Sequence, residues 1–233
     1  MNERHSGSSV VYRLKVTVRG SRPPIWRRLQ VAGDMSLNRL HLILQDLMGW
    51  QRLHPYQFDD GLAWYGQDFT DEDGEYTPVG EDDTQVPLAE VAPKEKARFE
   101  YHYDLDDILF EGTWCVTILV EQILPASANL RVPLCLAGKR AGPPDHFPGI
   151  GSYQECVIAF KDPTKPTHKD ARKLLGDTFN PDAFDVEEAN RRLAAIESLE
   201  REPEVWQRKA SPTASGRPAI GGRWVYGSRG RRR

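Results

Sequence analysis

Cysteine is scarce. Cys115, Cys135 and Cys156 are the only three in 233 residues, and no short Cys-x-x-Cys pair joins them. That excludes a disulfide scaffold and a zinc knuckle, leaves core packing as the expected role, and fits a reducing cytoplasm. Long apolar runs are also missing. A membrane span needs ~18 or more such residues; the longest run, CVTILV at 115–120, is the size of a strand. The opening MNERHSGSSV lacks the apolar stretch of a signal peptide, so the expectation is a cytoplasmic chain with no membrane partner. Charge of one sign is missing from two places. From Asp59 to Asp83 there are ten acidic residues and no Lys or Arg, and from Val205 to Arg233 eight basic residues and no acid. The formal net charge of -3 therefore hides an acidic middle and a basic tail.

What is present reads as an α+β domain. Tyr12, Leu14, Val16 and Val18 alternate with polar residues, as in a half-buried strand. After the turn Gly20 to Pro24, Ile25, Leu29 and Val31 continue on alternate positions, which predicts an antiparallel hairpin of 11–19 and 25–32. Leu37, Leu40, Leu44 and Leu47 then follow helical spacing, with Ser36 as N-cap and Gly49 as left-handed terminator. Residues 53–66 predict two short strands around Asp59-Asp60-Gly61, and the acidic 68–84 a surface loop. Alternation returns at 97–103 and at Trp114 to Val120, where both faces are apolar enough to predict a central strand covered on both sides. The Gly- and Pro-rich 137–152 predicts a loop. Short helices follow at 153–160 and 168–175. A last helix opens on a capping box, Asp185 with Glu188, with Phe184 stapled onto Ala189. The expected architecture is a mostly antiparallel sheet, one long helix after the first hairpin, and a helical C-terminal third. The expected organisation is a flexible lead-in (1–10), one domain (11–200) and a basic tail without fixed structure (201–233).

Several of these segments together resemble one family. YRLKVTVRGSRPPIWRRLQV, SLNRLHLILQDLMGW and HPYQF are similar to the plasmid pRi ORF-3-like family, whose members are often labelled resolvase-like passengers of insertion elements. The residues that carry the resemblance are Pro24, Ile25, Trp26, Arg27, Arg28, Leu40, His41, Gly49, Trp50, His54 and Phe58. FEYHYDLDD, GPPDHFPGIGSY and FNPDAFDVEEANRRL resemble later family segments, so the likeness spans 11–195. Against the family pattern, Asp106, Leu109 and Glu111 replace Gly, Trp and His; Gly142 replaces a Cys; and Asp145-His146 replaces Glu-Asp. The resemblance implies a bacterial α+β domain, often near mobile elements, and names no activity.

The residues offer several chemistries. A serine recombinase needs a nucleophilic Ser backed by phosphate-neutralising Arg. Ser6, Ser8 and Ser9 lie in the lead-in and Ser21 in a turn, none on a strand-to-helix elbow. Alternation puts His102, Asp104 and Asp106 on one strand face, and with Asp107 they could hold a divalent ion; the alternative is a strand end entering a solvated turn. No other cofactor is expected. Trp26, Arg27, His41, Trp50 and His54 could line a pocket, or the tryptophans could be core anchors with the histidines as hydrogen-bonding partners. Arg208, Lys209, Arg217, Arg223, Arg229, Arg231, Arg232 and Arg233, interleaved with aromatics, suit nucleic-acid contact. The tail could equally be a solubilising terminus, or fold back on 59–83. The reading that follows is a non-catalytic binding or accessory protein with an unknown protein partner. Its alternatives are a metal-dependent hydrolase or nuclease, and a nucleic-acid-associated protein acting through the tail.

Overall fold

The computed structural model describes residues 10–66, 69–70, 76–77, 80–105, 112–127 and 131–199. In chain order the strands are β1 (Val10–Val18), β2 (Trp26–Ala32), β3 (Tyr56–Asp59), β4 (Trp64–Gly66), β5 (Phe69–Thr70), β6 (Tyr76–Thr77), β7 (Glu81–Asp82), β8 (Arg98–Tyr103), β9 (Trp114–Pro125) and β10 (Leu134–Lys139). The helices are α1 (Leu37–Met48), α2 (Leu88–Val91), α3 (Gly149–Lys161), α4 (His168–Leu175) and α5 (Val186–Leu199). An eight-stranded sheet runs β10-β2-β1-β9-β8-β3-β4-β7, antiparallel except at β4–β7, and β5 pairs with β6 separately. The fold is α+β, as the periodicities predict.

Local chemistry accounts for most of these elements. In the β1–β2 turn the buried Ser21 hydroxyl donates to the Val18 carbonyl and accepts from the Ile25 amide, at 2.6 and 2.9 Å. That hydroxyl is committed to the turn. Ser36 caps α1 by accepting from the Arg39 amide, and Gly49 ends it at φ 79°, a conformation that costs glycine little. The apolar stripe of α1, Leu37, Leu40, Ile43, Leu44 and Leu47, is fully buried. It shares one core with Leu14, Val16 and Val18 of β1 and Val116, Ile118 and Val120 of β9. At α5 Asp185 accepts from the Glu187 and Glu188 amides, as an N-cap should.

Several expectations need correction. Strand β9 is central, between β1 and β8, but its second face (Cys115, Thr117, Leu119) stays half-buried, not enclosed. The acidic 68–84 stretch carries three two-residue strands, and it ends in the fully buried Asp83. β10 begins before the predicted 137–152 loop, and α3 begins inside it. Glu188 engages Arg191 at 2.6 and 2.9 Å, where the capping box would have it reach back. The Phe184 ring lies under the Arg27 guanidinium, 4.0 Å from its centroid.

Candidate functional site

The end of α1 gathers the family-like segments. Gly49 and Trp50 both donate their amides to the Gln45 carbonyl at 2.9 Å, which turns the chain back beneath the helix. Trp50 is thereby buried. Its ring stacks on Tyr103 of β8 at 4.8 Å, and its indole N–H donates to the Pro143 carbonyl at 3.0 Å. The Gly-Pro loop closes over this end. A Cβ on Gly142 would stand 1.8 Å from the Met48 carbonyl oxygen, so the backbone contact leaves no room for a side chain. Asp145 Oδ2 accepts from the Gln51 amide at 2.6 Å and from the Tyr103 hydroxyl at 3.4 Å, while Asp145 Oδ1 is buried without a partner. Burial, with Asp145 next in effect, holds the Tyr103 phenol well above its ordinary range.

His54 and Asp104 meet at the rim of this cluster. Asp104 takes φ 67° as β8 ends, and its amide donates to the Pro55 carbonyl at 3.1 Å, which brings its carboxylate to 3.3 Å from His54 Nδ1. The His54 ring meets Tyr103 edge-on.

A second polar set lies deeper, between α1 and the sheet. His41 stacks flat on Tyr56, with centroids 3.5 Å apart, and its Nδ1 lies 2.8 Å from the Tyr101 hydroxyl. Gln45 Nε2 donates to the same hydroxyl at 2.8 Å, and Gln45 Oε1 accepts from the Arg52 amide at 3.0 Å. Burial first, and Arg52 second, pull the His41 pKa well below its ordinary value. The neutral imidazole can therefore accept a hydrogen bond from the Tyr101 hydroxyl, which completes a chain from Arg52 through Gln45 and Tyr101 to His41. Tyr56 in turn donates to Asp83 Oδ2 at 2.6 Å and accepts from Asn38 at 2.9 Å.

The five residues of the candidate pocket fall in different places. Trp50 and His54 share the helix end, and His41 lies in the deeper set. Arg27 is buried beneath α1, where its Nε donates to Leu47 and its Nη1 to Trp26 and Lys139 carbonyls, at 2.9–3.1 Å. Desolvation lowers its pKa to about 10. The bond to Leu47 caps the end of α1, and the other two tie that end to β2 and β10. Trp26 is not a core anchor: it is half-buried on the opposite sheet face, beside Lys15 and Arg28.

The candidate metal set divides too. His102 faces Glu100 and Cys115, both at 3.4 Å, whereas Asp104 faces His54. Asp106, Asp107 and Glu111 lie outside the described residues. Among those described, no group of three or more His, Cys, Asp or Glu is placed to hold a metal ion. The tail cations from Arg208 to Arg233 and Ser6, Ser8 and Ser9 also lie outside the described residues. No described helix is long and apolar enough to cross a membrane. Sequence reasoning left Asp83, Tyr101 and Tyr103 out of the site. The alternation in FEYHY, which turns both tyrosines toward α1, was the available signal.

Fold and site together define an α+β domain in which one long helix is fastened to an antiparallel sheet by aromatic and carboxylate side chains. The chain belongs to the plasmid pRiA4b ORF-3-like protein family, which matches residues 10–188. The uncharacterized protein y4hQ of Sinorhizobium fredii is 30% identical over 202 residues, 86% of this chain and 96% of that one. The crystal structure of MM3350 from Methanosarcina mazei, a protein of unknown function, is similar with a TM-score of 0.65 at 28% identity, over 77% of this chain and 97% of that one.

Proposed function

We propose that the chain is a non-catalytic binding or accessory protein. One observation carries this reading: among the described residues, the family-like polar side chains engage one another in separate sets and line no shared opening. His41 is 5% exposed and sealed against Tyr56, so it is out of reach of a substrate proton. Asp145 Oδ2 is taken by the Gln51 amide and Tyr103 while its Oδ1 is enclosed, and His102 is taken by Glu100 and Cys115. The work of His41 and Asp145 is to hold α1, β8 and the Gly-Pro loop together, and that of His102 is to tie β8 to β9.

The metal-dependent hydrolase reading draws on one pair, His54 with Asp104, whose side chains are 27% and 18% exposed. Melting temperature across millimolar Mg²⁺ or Mn²⁺ separates the two, because an ion bound only by the folded state raises it. The binding reading expects no shift. A rise that Asp104→Asn abolishes would replace it with the hydrolase.

A further inference from the structure

The buried faces of β1, β2 and β9 look toward α1. Their opposite face is a separate surface. Register aligns Thr17 with Trp26 and Thr117, Lys15 with Arg28 and Leu119, and Arg13 with Gln30 and Gln122. Arg13, Arg28, Lys96, Leu119, Glu121 and Leu136 are among the residues lining a groove of about 440 Å³ across these strands.

The groove is electropositive. Three of its lining cations, Arg13, Arg28 and Lys96, stand about one lining carboxylate, Glu121, and Lys15 lies beside Arg28 in register. Glu100, at the β8 end of the Trp26 row, is paired with Arg19. Arg28 holds Glu121 in a two-pronged pair at 2.6 and 2.8 Å. Hydrogen bonding and charge from Arg28, with the fields of Lys15 and Arg13, depress the Glu121 pKa. The other three cations form no ion pair among the described residues. Arg13 meets only the amide oxygens of Gln122 and Gln30, and its Nε is buried without a partner. Lys96 reaches a backbone carbonyl at 3.5 Å. Lys15 leans over Trp26, 5.6 Å from the ring centroid, with Arg28 at 5.5 Å.

A sheet face on which Lys15 and Arg28 flank a half-buried tryptophan, with Arg13 further along the strand of Lys15, matches one partner chemistry. Bases present π-faces that stack on aromatic rings, and phosphates take the cations. Residues two apart on a strand stand ~7 Å apart, comparable to successive phosphates in an extended strand. An acidic peptide would use the cations and leave the ring idle. We propose that this face binds single-stranded nucleic acid, with Arg13, Lys15 and Lys96 on phosphates and Trp26 against a base. The proposal rests on the binding reading above and names its partner. It puts the contact on the folded sheet, not on the tail.

The test is fluorescence anisotropy of labelled oligo-dT and oligo-U with the full chain over a range of salt. Three phosphate contacts predict a slope of log affinity against log salt of about −2. The paired substitutions Arg13→Glu and Lys15→Glu should weaken binding at least tenfold and flatten that slope. Trp26→Ala should weaken it about tenfold and leave the slope unchanged, because stacking releases no counterions. If the double variant fails to fold, the exposed Lys96→Glu carries the same expectation for one contact. Replacing the eight tail cations by Gln should leave most of the binding. The proposal is overturned if the tail variant alone loses binding, if polyglutamate displaces the oligonucleotide as well as unlabelled oligo-dT does, or if no form binds. The metal-dependent melts judge the wider binding reading independently of these outcomes.

Discussion

Replacing Asp83 by Asn should change how stability depends on pH. Asp83 is fully buried; Tyr56 donates to one carboxyl oxygen at 2.6 Å, and the other is buried without a partner. Burial raises the carboxyl from 3.8 to about 6, opposed by the Tyr56 hydrogen bond and aided by the charge of Asp82. In the unfolded chain the proton leaves near the lower value, in the folded chain near the higher. Between the two, the folded state keeps a proton that the unfolded state has lost. Stability therefore falls as pH rises through that window and levels off above about 6. A shift of about two units corresponds to about 2–3 kcal/mol. For a domain of this size that is about 5–10 °C in Tm. Asn cannot titrate, so Asp83→Asn is the reference against which the other carboxylates cancel. Thermal melts or urea titrations of both forms from about pH 4 to pH 8 give the comparison. The native chain should lose about 2–3 kcal/mol relative to the variant between the two ends. A constant difference across that range would refute the reasoning.

Three further outcomes follow from the packing. Leu44→Ala removes a fully buried side chain of α1 and should cost about 2–5 kcal/mol, read as a lower urea midpoint; no change would contradict the burial. Asn190 pairs its side-chain amide with both the N–H and the C=O of Cys135, at 2.8 and 2.9 Å, which closes the outer edge of β10. Asn190→Ala should cost about 1–2 kcal/mol in the same assay, and faster amide exchange at Cys135 would identify the cause. Gly142→Ala must displace the loop from the Met48 carbonyl and should lower Tm by several degrees; an unchanged melt would contradict the close approach.

The parts legible in the sequence are those with a local cause. The hairpin, α1 with both caps, and the Asp185 cap follow from alternation, helical spacing and one capping residue each. The same alternation that buries Leu29 and Val31 also turns Arg27 inward and Trp26 outward, but the habit of burying tryptophan hid this. What stayed hidden depends on distant partners. The last three residues of β10, 137–139, read as loop because AGK carries no alternation; Gly138 is small because the Phe184 ring fills its place. Nothing local distinguishes Asp83 from its nine acidic neighbours. It is buried because its carbonyl accepts the Asn38 amide and the Ser36–Pro87 bridge ties the segment to the start of α1. His54 and Asp104 are far apart in sequence and meet where the β3–β8 pairing ends at Tyr56 and Tyr103, with the Asp104 amide on the Pro55 carbonyl.

The central claim is that the family-like residues at the helix end build the domain and that binding occurs elsewhere on it. The most direct measurement uses the double variant His54→Ala with Asp104→Asn, assayed in one preparation for Tm and for oligonucleotide affinity. The account predicts a Tm lowered by a few degrees, from loss of the 3.3 Å pair and the edge contact with Tyr103, with affinity unchanged. An unchanged Tm with binding abolished would contradict it and put the functional site at the helix end.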